Sequence, residues 1–305
     1  MLFFSLVMKN YPIPEEEAER ELDGIFHEIK QVFRVSGVNL NFRTWATYPK
    51  FFPVLWVSIR PVAETRLFEE SCNHIRALAA RLAEKLPRLD AATSVGLGDS
   101  QIFQIQAALD LYHYINPKLL VISSVVEYAC QHPTMSGFQS QRPDHELIPR
   151  GIPLRMYPME MIDETPDDAT LRRTFRDIQR TLGLPGINSD YRTLALWPEY
   201  LYAVWHRLKP VITHPLYLEI ALTLREAAQQ MASHVLPRLT ISEDQLRVLG
   251  RKRTHFLETT AHFTQLLPPL IINIVLISLD WRSRQDLEGS PFPIEFSSTV
   301  LEPST

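Results

Sequence analysis

The chain has 305 residues, of which 45% are hydrophobic and 22% are charged, and its formal net charge is −4 at pH 7. This composition is typical of a soluble globular protein that is long enough for two domain-sized cores. The charges form no basic stripe, so we expect no nucleic-acid partner. Cys72 and Cys130 are too few for a disulfide framework or a Cys-rich metal site, and they suggest a reducing compartment.

Two apolar stretches are candidates for a targeting or membrane segment. Residues 1–8 lack a cationic start and a small-residue cleavage site, so they do not resemble a signal peptide. Residues 266–279 are too few to span a bilayer and contain two prolines. We therefore expect a cytoplasmic protein without a membrane partner.

Helical periodicity extends over nearly the whole chain. Only 10 glycines and no sustained apolar–polar alternation leave little room for sheets, so we predict an all-α fold. Residues 66–86 have the pattern of an amphipathic helix that ends near Pro87. Residues 118–129 predict a buried helix that begins just after Pro117, because proline is well tolerated in a first helical turn.

The second half of the chain has a matching set of segments. Residues 132–166 contain six of the 23 prolines and predict an extended connector. Beyond it, residues 216–236 correspond to the amphipathic helix, and residues 270–279 predict a second buried helix after a proline. We predict a first helical repeat at 13–131, the connector at 132–166, a second helical repeat at 167–296 and an irregular tail at 297–305.

One segment occurs twice, and the two copies are 149 residues apart. Residues 37–62 and 186–211 are identical at nine of 26 positions, where chance would give about one or two. Pro49 and Pro198 occupy the same point of each copy, which predicts a short helix, a break and a longer helix that starts at the proline. A duplicated structural unit explains this pattern, and we expect two helical halves that close around a cleft.

The two copies differ in charge at one position, where Asn41 in the first corresponds to Asp190 in the second. Both residue types are favoured helix N-caps, so capping is the simpler interpretation of either. The alternative is functional. A carboxylate buried in a cleft would have a raised pKa and could act as a general base on water.

Other polar residues also have two interpretations. Asn116 before Pro117 is typical of an N-cap, although its amide could hold water or a substrate carboxylate. Thr65 and Glu69 lie four apart on one face of a predicted helix, which is usually a solvated face. Arg43 and Arg192 occur in both copies, so we expect structural roles for them. Familiar phosphate-loop, nucleophile and metal-ligand motifs do not occur, and we predict no metal site.

Four segments of the chain together resemble the group I 2-haloacid dehalogenases, which act on D- or on both D- and L-2-haloacids. They are FRTWATYPKFFPVLW, YINPKLLVIS, SDYRTLALWP and SPFPI, in that order along nearly the whole chain. The resemblance implies an all-α fold of two tandem repeats, arranged as a pseudo-dimer with the active site between them. It also implies a homodimer and a reaction that needs no cofactor.

The resemblance further implies roles for individual residues. The family's catalytic aspartate corresponds to Asp190, which would activate a water that attacks the substrate Cα directly and displaces halide with inversion. Asn116 corresponds to the family's asparagine before Pro-Lys and would be the second catalytic residue. The remaining candidates would bind the small carboxylic-acid substrate: Asn41, Thr65, Glu69, Ser189 and Tyr191.

Three positions depart from the family pattern. Gly37, Leu40 and Leu119 correspond to a tryptophan, a phenylalanine and a tyrosine that line the substrate pocket. Smaller walls leave room for a larger ligand, so two alternatives stay open. One is an enzyme on the same scaffold that acts on or binds a larger carboxylic acid. The other is a non-catalytic helical dimer that binds a ligand.

Overall fold

The computed structural model describes residues 11–135 and 146–294 and is 67% helical, with no strand among them. The predicted all-α class is therefore confirmed. Residues 1–8, part of the connector and the tail at 297–305 fall wholly or partly outside the described residues. The α-helices, in chain order, are α1 Glu21–Phe33, α2 Leu40–Trp45, α3 Phe52–Ala63, α4 Arg66–Ala83, α5 Asp99–Gln131, α6 Ala169–Leu182, α7 Ser189–Leu194, α8 Pro198–Ile212, α9 Pro215–Gln230, α10 Glu243–Arg247, α11 Arg253–Ser278 and α12 Arg284–Glu288.

Two long helices, α5 and α11, pack against each other in the middle of the molecule. Over their second halves nearly every residue is buried. A helix that is apolar all round belongs in a core, where other helices cover every face. These two helices therefore form the platform on which the shorter helices pack.

The predicted start of the two buried helices was wrong. Pro117 lies inside α5, and Pro268 and Pro269 lie inside α11. A proline inside a helix removes one backbone hydrogen bond, which an isolated segment rarely tolerates. Here the surrounding helices bury both segments, so tertiary packing outweighs the local preference. The helix predicted at 66–86 is confirmed as α4.

Each copy of the duplicated segment forms a short helix followed by a longer one, as predicted. In the second copy, α8 begins at Pro198. In the first, α3 begins at Phe52, three residues after Pro49, so the start predicted at Pro49 was wrong. Pro53 stands near the start of α3, so both long helices have a proline in their first turn, where the missing N–H is not needed.

Hydrogen bonds also recur at the spacing of 149 residues. Arg43 Nε donates to the carbonyl of Ile13 at 3.0 Å, and Arg192 Nε donates to that of Ile162 at 2.8 Å. In each case the isoleucine N–H donates back to the arginine carbonyl. Each arginine thus joins an extended segment to a short helix by hydrogen bonds, which agrees with the structural role expected for both.

A second repeated contact involves the shared tryptophans. Trp56 Nε1 donates to Glu28 at 2.7 Å, and Trp205 Nε1 donates to Asp177 at 2.8 Å. These contacts support the duplication. The pseudo-dimeric arrangement of the two halves and the boundaries given above stay predictions.

The described part of the connector crosses from one half of the chain to the other. Ile148 N–H donates to the carbonyl of Glu64, and Gly151 N–H donates to that of Gln31. Further along, Ile162 pairs with Arg192 as described. This segment is therefore held by backbone hydrogen bonds at both ends.

One stretch of the described residues, Gly250–Ser278, is long and apolar enough to cross a membrane by length and composition alone. Most of its apolar window, 72%, is buried inside the protein. That burial is typical of a core helix, which is the position that α11 occupies.

The repeated tryptophan contacts lead to a first prediction. Replacing Glu28 or Asp177 with alanine removes the acceptor of a buried tryptophan's indole N–H, so each change should lower the free energy of unfolding by roughly 1 to 2 kcal/mol. Urea denaturation measures both losses, and exposed Glu258→Ala is the control. A loss at one site without a comparable loss at the other would contradict the equivalence of the two contacts.

Candidate active site

Asp190 lies in the first turn of α7 and is only 3% exposed. Asn116 Nδ2, on α5, donates a hydrogen bond to Asp190 Oδ2 at 3.1 Å. Ser189 Oγ lies 3.5 Å from Asp190 Oδ1. The N-cap position of α7 is Asn188, and the Asp190 side chain is directed to a residue of another helix. Capping therefore does not account for this carboxylate.

Burial raises the pKa of the Asp190 carboxyl from 3.8 to about 6, because the charged form is poorly solvated in the interior. The hydrogen bonds from Asn116 and Ser189 oppose this shift, since they stabilise the charged form. The balance gives a carboxylate that is ionised at neutral pH and holds a proton far better than an ordinary aspartate. Such a group is well matched to general-base catalysis near pH 7.

Asn116 is 3% exposed and lies inside α5, so it is not the N-cap that its sequence suggested. One turn before it, Tyr112 is buried, and its hydroxyl lies 2.7 Å from Thr193 Oγ1. Burial and the charge of Asp190 raise the pKa of Tyr112. Tyr112 thus lies beside the carboxylate and was missed from the sequence. Its spacing of four from Asn116, on the same helix face, could have indicated it.

Tyr191 follows Asp190 and belongs to a buried polar chain behind it. Asn273 Nδ2, on α11, donates to the Tyr191 hydroxyl at 2.8 Å, and the Tyr217 hydroxyl donates to Asn273 Oδ1 at 2.8 Å. Burial raises the pKa of Tyr191, with a further contribution from the charge of Asp190. The chain links α7 to the central helix α11. Nothing in the sequence connected Asn273 with Tyr191, since 82 residues separate them.

Asn41, the counterpart of Asp190 in the first copy, is 2% exposed. Its Nδ2 donates to Ser123 Oγ, also on α5, at 2.6 Å. Both copies therefore direct a buried polar side chain at the central helix. The first copy offers an amide in this position and the second a carboxylate.

Thr65 and Glu69 lie at the start of α4. Thr65 is the N-cap, and its Oγ1 accepts from Phe68 N at 3.2 Å. Glu69 forms an ion pair with Lys118 at 2.7 Å, and both side chains are at most 5% exposed. Lys118 follows the Asn116-Pro117 step on α5. This pair is buried, in contrast to the solvated face that the spacing suggested.

The three positions that depart from the family pattern have different environments. Leu119 is buried three residues after Asn116 on α5, whereas Leu40 at the start of α2 is 38% exposed. A Cβ on Gly37 would lie 3.3 Å from Glu15 Oε1, which accepts a hydrogen bond from Val38 N. A side chain at position 37 would therefore require Glu15 to move slightly. Substrate contacts for these residues stay predictions.

Acidic, histidine and cysteine side chains do not gather into any group of three or more that could hold a metal ion within residues 11–135 and 146–294. The polar groups around Asp190 are amides and hydroxyls, which can hold a water molecule and orient a small anion. The arrangement offers one buried base and several neutral hydrogen-bonding groups. That set of groups is suited to proton abstraction from a bound water.

Comparison with known proteins identifies the family. Residues 37–191, which include Asn116 and Asp190, match the family described as "Halocarboxylic acid dehydrogenase DehI". An (R)-2-haloacid dehalogenase from Pseudomonas putida is 34% identical over 212 residues, which are 68% of this chain and 70% of that protein. A configuration-inverting 2-haloacid dehalogenase from Pseudomonas sp. (strain 113) is 29% identical, over 75% of this chain and 76% of the relative.

The fold agrees with that assignment. A solved complex of a D-2-haloacid dehalogenase mutant with D-2-CPA superposes with a TM-score of 0.76 at 27% identity, covering 88% of this chain and 95% of the other. The chain belongs to the DehI family. The resemblance inferred from the four sequence segments is confirmed.

The raised pKa of Asp190 leads to a prediction about stability. Because the folded-state pKa is about 6 and the ordinary value is 3.8, the folded protein binds a proton more tightly than the unfolded chain. The stabilisation from that proton is complete below about pH 4 and is lost as pH rises through about 6. The free energy of unfolding of Asp190→Asn, measured relative to wild type, should therefore rise by roughly 2 to 3 kcal/mol between pH 4 and pH 7.

Urea denaturation at several pH values measures this difference. Exposed Asp167→Asn makes the same chemical change outside the site and serves as the control. If the difference in free energy of unfolding between Asp190→Asn and wild type does not change with pH, the raised pKa of a buried Asp190 carboxyl is contradicted.

Proposed function

We propose that this protein is a hydrolytic dehalogenase of 2-haloalkanoic acids, with Asp190 as the general base. The observation that carries the proposal is the buried Asp190 carboxylate held by Asn116. Membership of a family whose named relatives are 2-haloacid dehalogenases supports the substrate class. A small carboxylic acid is the expected ligand, and the larger-acid and non-catalytic alternatives are less favoured.

In the proposed reaction, Asp190 takes one proton from a water molecule. The water oxygen attacks the substrate Cα from the side opposite the halogen, so a C–O bond forms as the carbon–halogen bond breaks. The halide leaves with the bonding electron pair, and the product is a 2-hydroxy acid of inverted configuration. Asp190 later releases its proton to solvent. No covalent bond to the enzyme forms.

Asn116 is the proposed second catalytic residue. Its Nδ2 donates to Asp190 Oδ2, so its Oδ1 remains available to accept a hydrogen bond from the attacking water. The amide thereby fixes the carboxylate and the water relative to each other. Such positioning converts an encounter of separate molecules into a reaction of groups already in place.

The remaining candidates are proposed to shape the substrate site. Ser189 lies against the Asp190 carboxylate, and Leu119 shares α5 with Asn116. We propose that four further residues complete the surroundings of the substrate: Gly37, Leu40, Asn41 and Tyr191. For Thr65 and Glu69, the cap and the ion pair already described favour an indirect contribution. A homodimer and a cytoplasmic location are also proposed.

Halide release tests the function directly. Wild type should release chloride from at least one enantiomer of 2-chloropropionate, and Asp190→Asn should reduce kcat about 10²- to 10⁴-fold because it removes the general base. Asn116→Ala should reduce kcat by up to about 10²-fold through lost positioning. Asp167→Asn at the exposed site should match wild type.

Folding of each variant is checked by circular dichroism. Absence of chloride or bromide release from either enantiomer of the 2-halopropionates by folded wild-type protein would contradict the proposal. Activity of Asp190→Asn at the wild-type rate would contradict the role of Asp190.

The source of the product oxygen tests the mechanism. In a single turnover with enzyme in excess, in water enriched with ¹⁸O, direct attack by water should place ¹⁸O in the hydroxyl of the first product formed. An aspartyl ester would instead transfer an unlabelled carboxylate oxygen. Mass spectrometry of the hydroxy acid distinguishes the two, and an unlabelled product would rule out direct attack.

A further inference from the structure

Helix α5 continues through Pro117 without ending, although proline has no backbone N–H. In a regular helix that N–H would donate to the carbonyl four residues earlier, which is that of His113. The carbonyl of His113 is therefore left without its helical donor in the interior of the protein. An unpaired buried carbonyl is costly, so another group must supply the hydrogen bond.

Arg76 supplies it from the neighbouring helix α4. Its Nε donates to the carbonyl of His113 at 3.1 Å, and its Nη2 donates to the carbonyl of Tyr114 at 3.0 Å. The Arg76 side chain is fully buried, and Nη1 donates to Asn73 Oδ1. The planar guanidinium thus bridges the carbonyls that lie four and three residues before Pro117. It thereby fixes the turn of α5 that ends at Asn116 and Pro117.

The charge of Arg76 is partly offset within the same region. Burial of a guanidinium is costly unless an anion lies close by, and Glu69 provides that electrostatic partner. Glu69 also pairs with Lys118, whose Nζ donates to the Tyr114 hydroxyl at 2.6 Å. The two cations and one carboxylate surround the proline turn. Removing Glu69 would therefore leave both cations uncompensated.

The second half of the chain provides an internal comparison. Arg225 lies on α9, 149 residues after Arg76, and the adjoining core helix α11 also contains prolines. Arg225 Nε is buried and has no hydrogen-bond partner within the described residues. The bridge from arginine Nε to a core-helix carbonyl therefore occurs in the half that carries Asn116 and is missing from its counterpart.

We propose that Arg76 is a positioning residue of the reaction, which holds the Pro117 turn of α5 in the geometry that aims the Asn116 amide at Asp190. The effect of Arg76 on turnover rests on the proposed function, whereas its effect on the Asn116–Asp190 hydrogen bond is independent of that function. Arg76 acts through Asn116 and makes no contact with the reacting atoms.

The kinetic test compares Arg76→Met, Arg76→Lys and Arg225→Met as the matched control. With 2-chloropropionate, Arg76→Met should lower kcat roughly 10- to 100-fold and change KM much less, because the lost contribution is orientation. Arg76→Lys keeps a charge and a donor but lacks the planar fork, so its kcat should be intermediate. Arg225→Met should stay within about twofold of wild type.

A double mutant separates positioning from general stability. All rates are measured well below each variant's Tm. If Arg76 acts through Asn116, Arg76→Met should cause little further loss of kcat in the Asn116→Ala background. An equal loss in both backgrounds, or a lowered Tm with unchanged kcat, would overturn the proposal.

A second readout works without turnover and keeps the proposal testable if wild type releases no halide. The ionisation of Asp190 is followed by NMR of ¹³C-labelled aspartate carboxyls, assigned with Asp190→Asn. The Asn116 hydrogen bond lowers the pKa of Asp190, so Arg76→Met should raise it, as Asn116→Ala should. An unchanged midpoint would overturn the role of Arg76 whatever the substrate. If Arg76→Met does not fold, Arg76→Gln and Arg76→Lys are measured in the same way.

Discussion

The proposed site depends on keeping one carboxylate ionised in the protein interior. Asp190 is 3% exposed, and ionising it there costs far more than in water. The hydrogen bond from Asn116 offsets part of that cost, and it comes from the central helix of the fold. The placement of α7 against α5 is therefore an energetic requirement of the site as well as a packing arrangement.

The two halves of the chain use the same scaffold with different buried charges. The repeated arginine contacts hold equivalent short helices in place, and the repeated tryptophan contacts hold the longer helices that follow them. Each short helix directs a polar side chain at α5. The carboxylate occurs in the second copy, whereas the cations that surround the Pro117 turn belong to the first half. The proposed site therefore combines features in which the two similar halves differ: the carboxylate of the second half and the buried cations of the first.

The all-α class and the duplicated segment could be predicted from the sequence because helical periodicity and residue identity are local signals. Asp190 was singled out because one copy differed from the other, and its catalytic role was predicted from the family resemblance. The prolines at 117, 268 and 269 misled the prediction of helix starts, since a donor such as Arg76 comes from a distant part of the chain. Asn273 could not be predicted for the same reason, because its partner lies 82 residues away.

The near-complete burial of Asp190 places two opposing demands on one residue. A general base must be ionised, yet burial makes the ionised carboxyl a source of instability in the folded protein. The site is therefore a place where stability is given up for the proposed activity, and the substitutions that stabilise the fold there are the ones that remove the base.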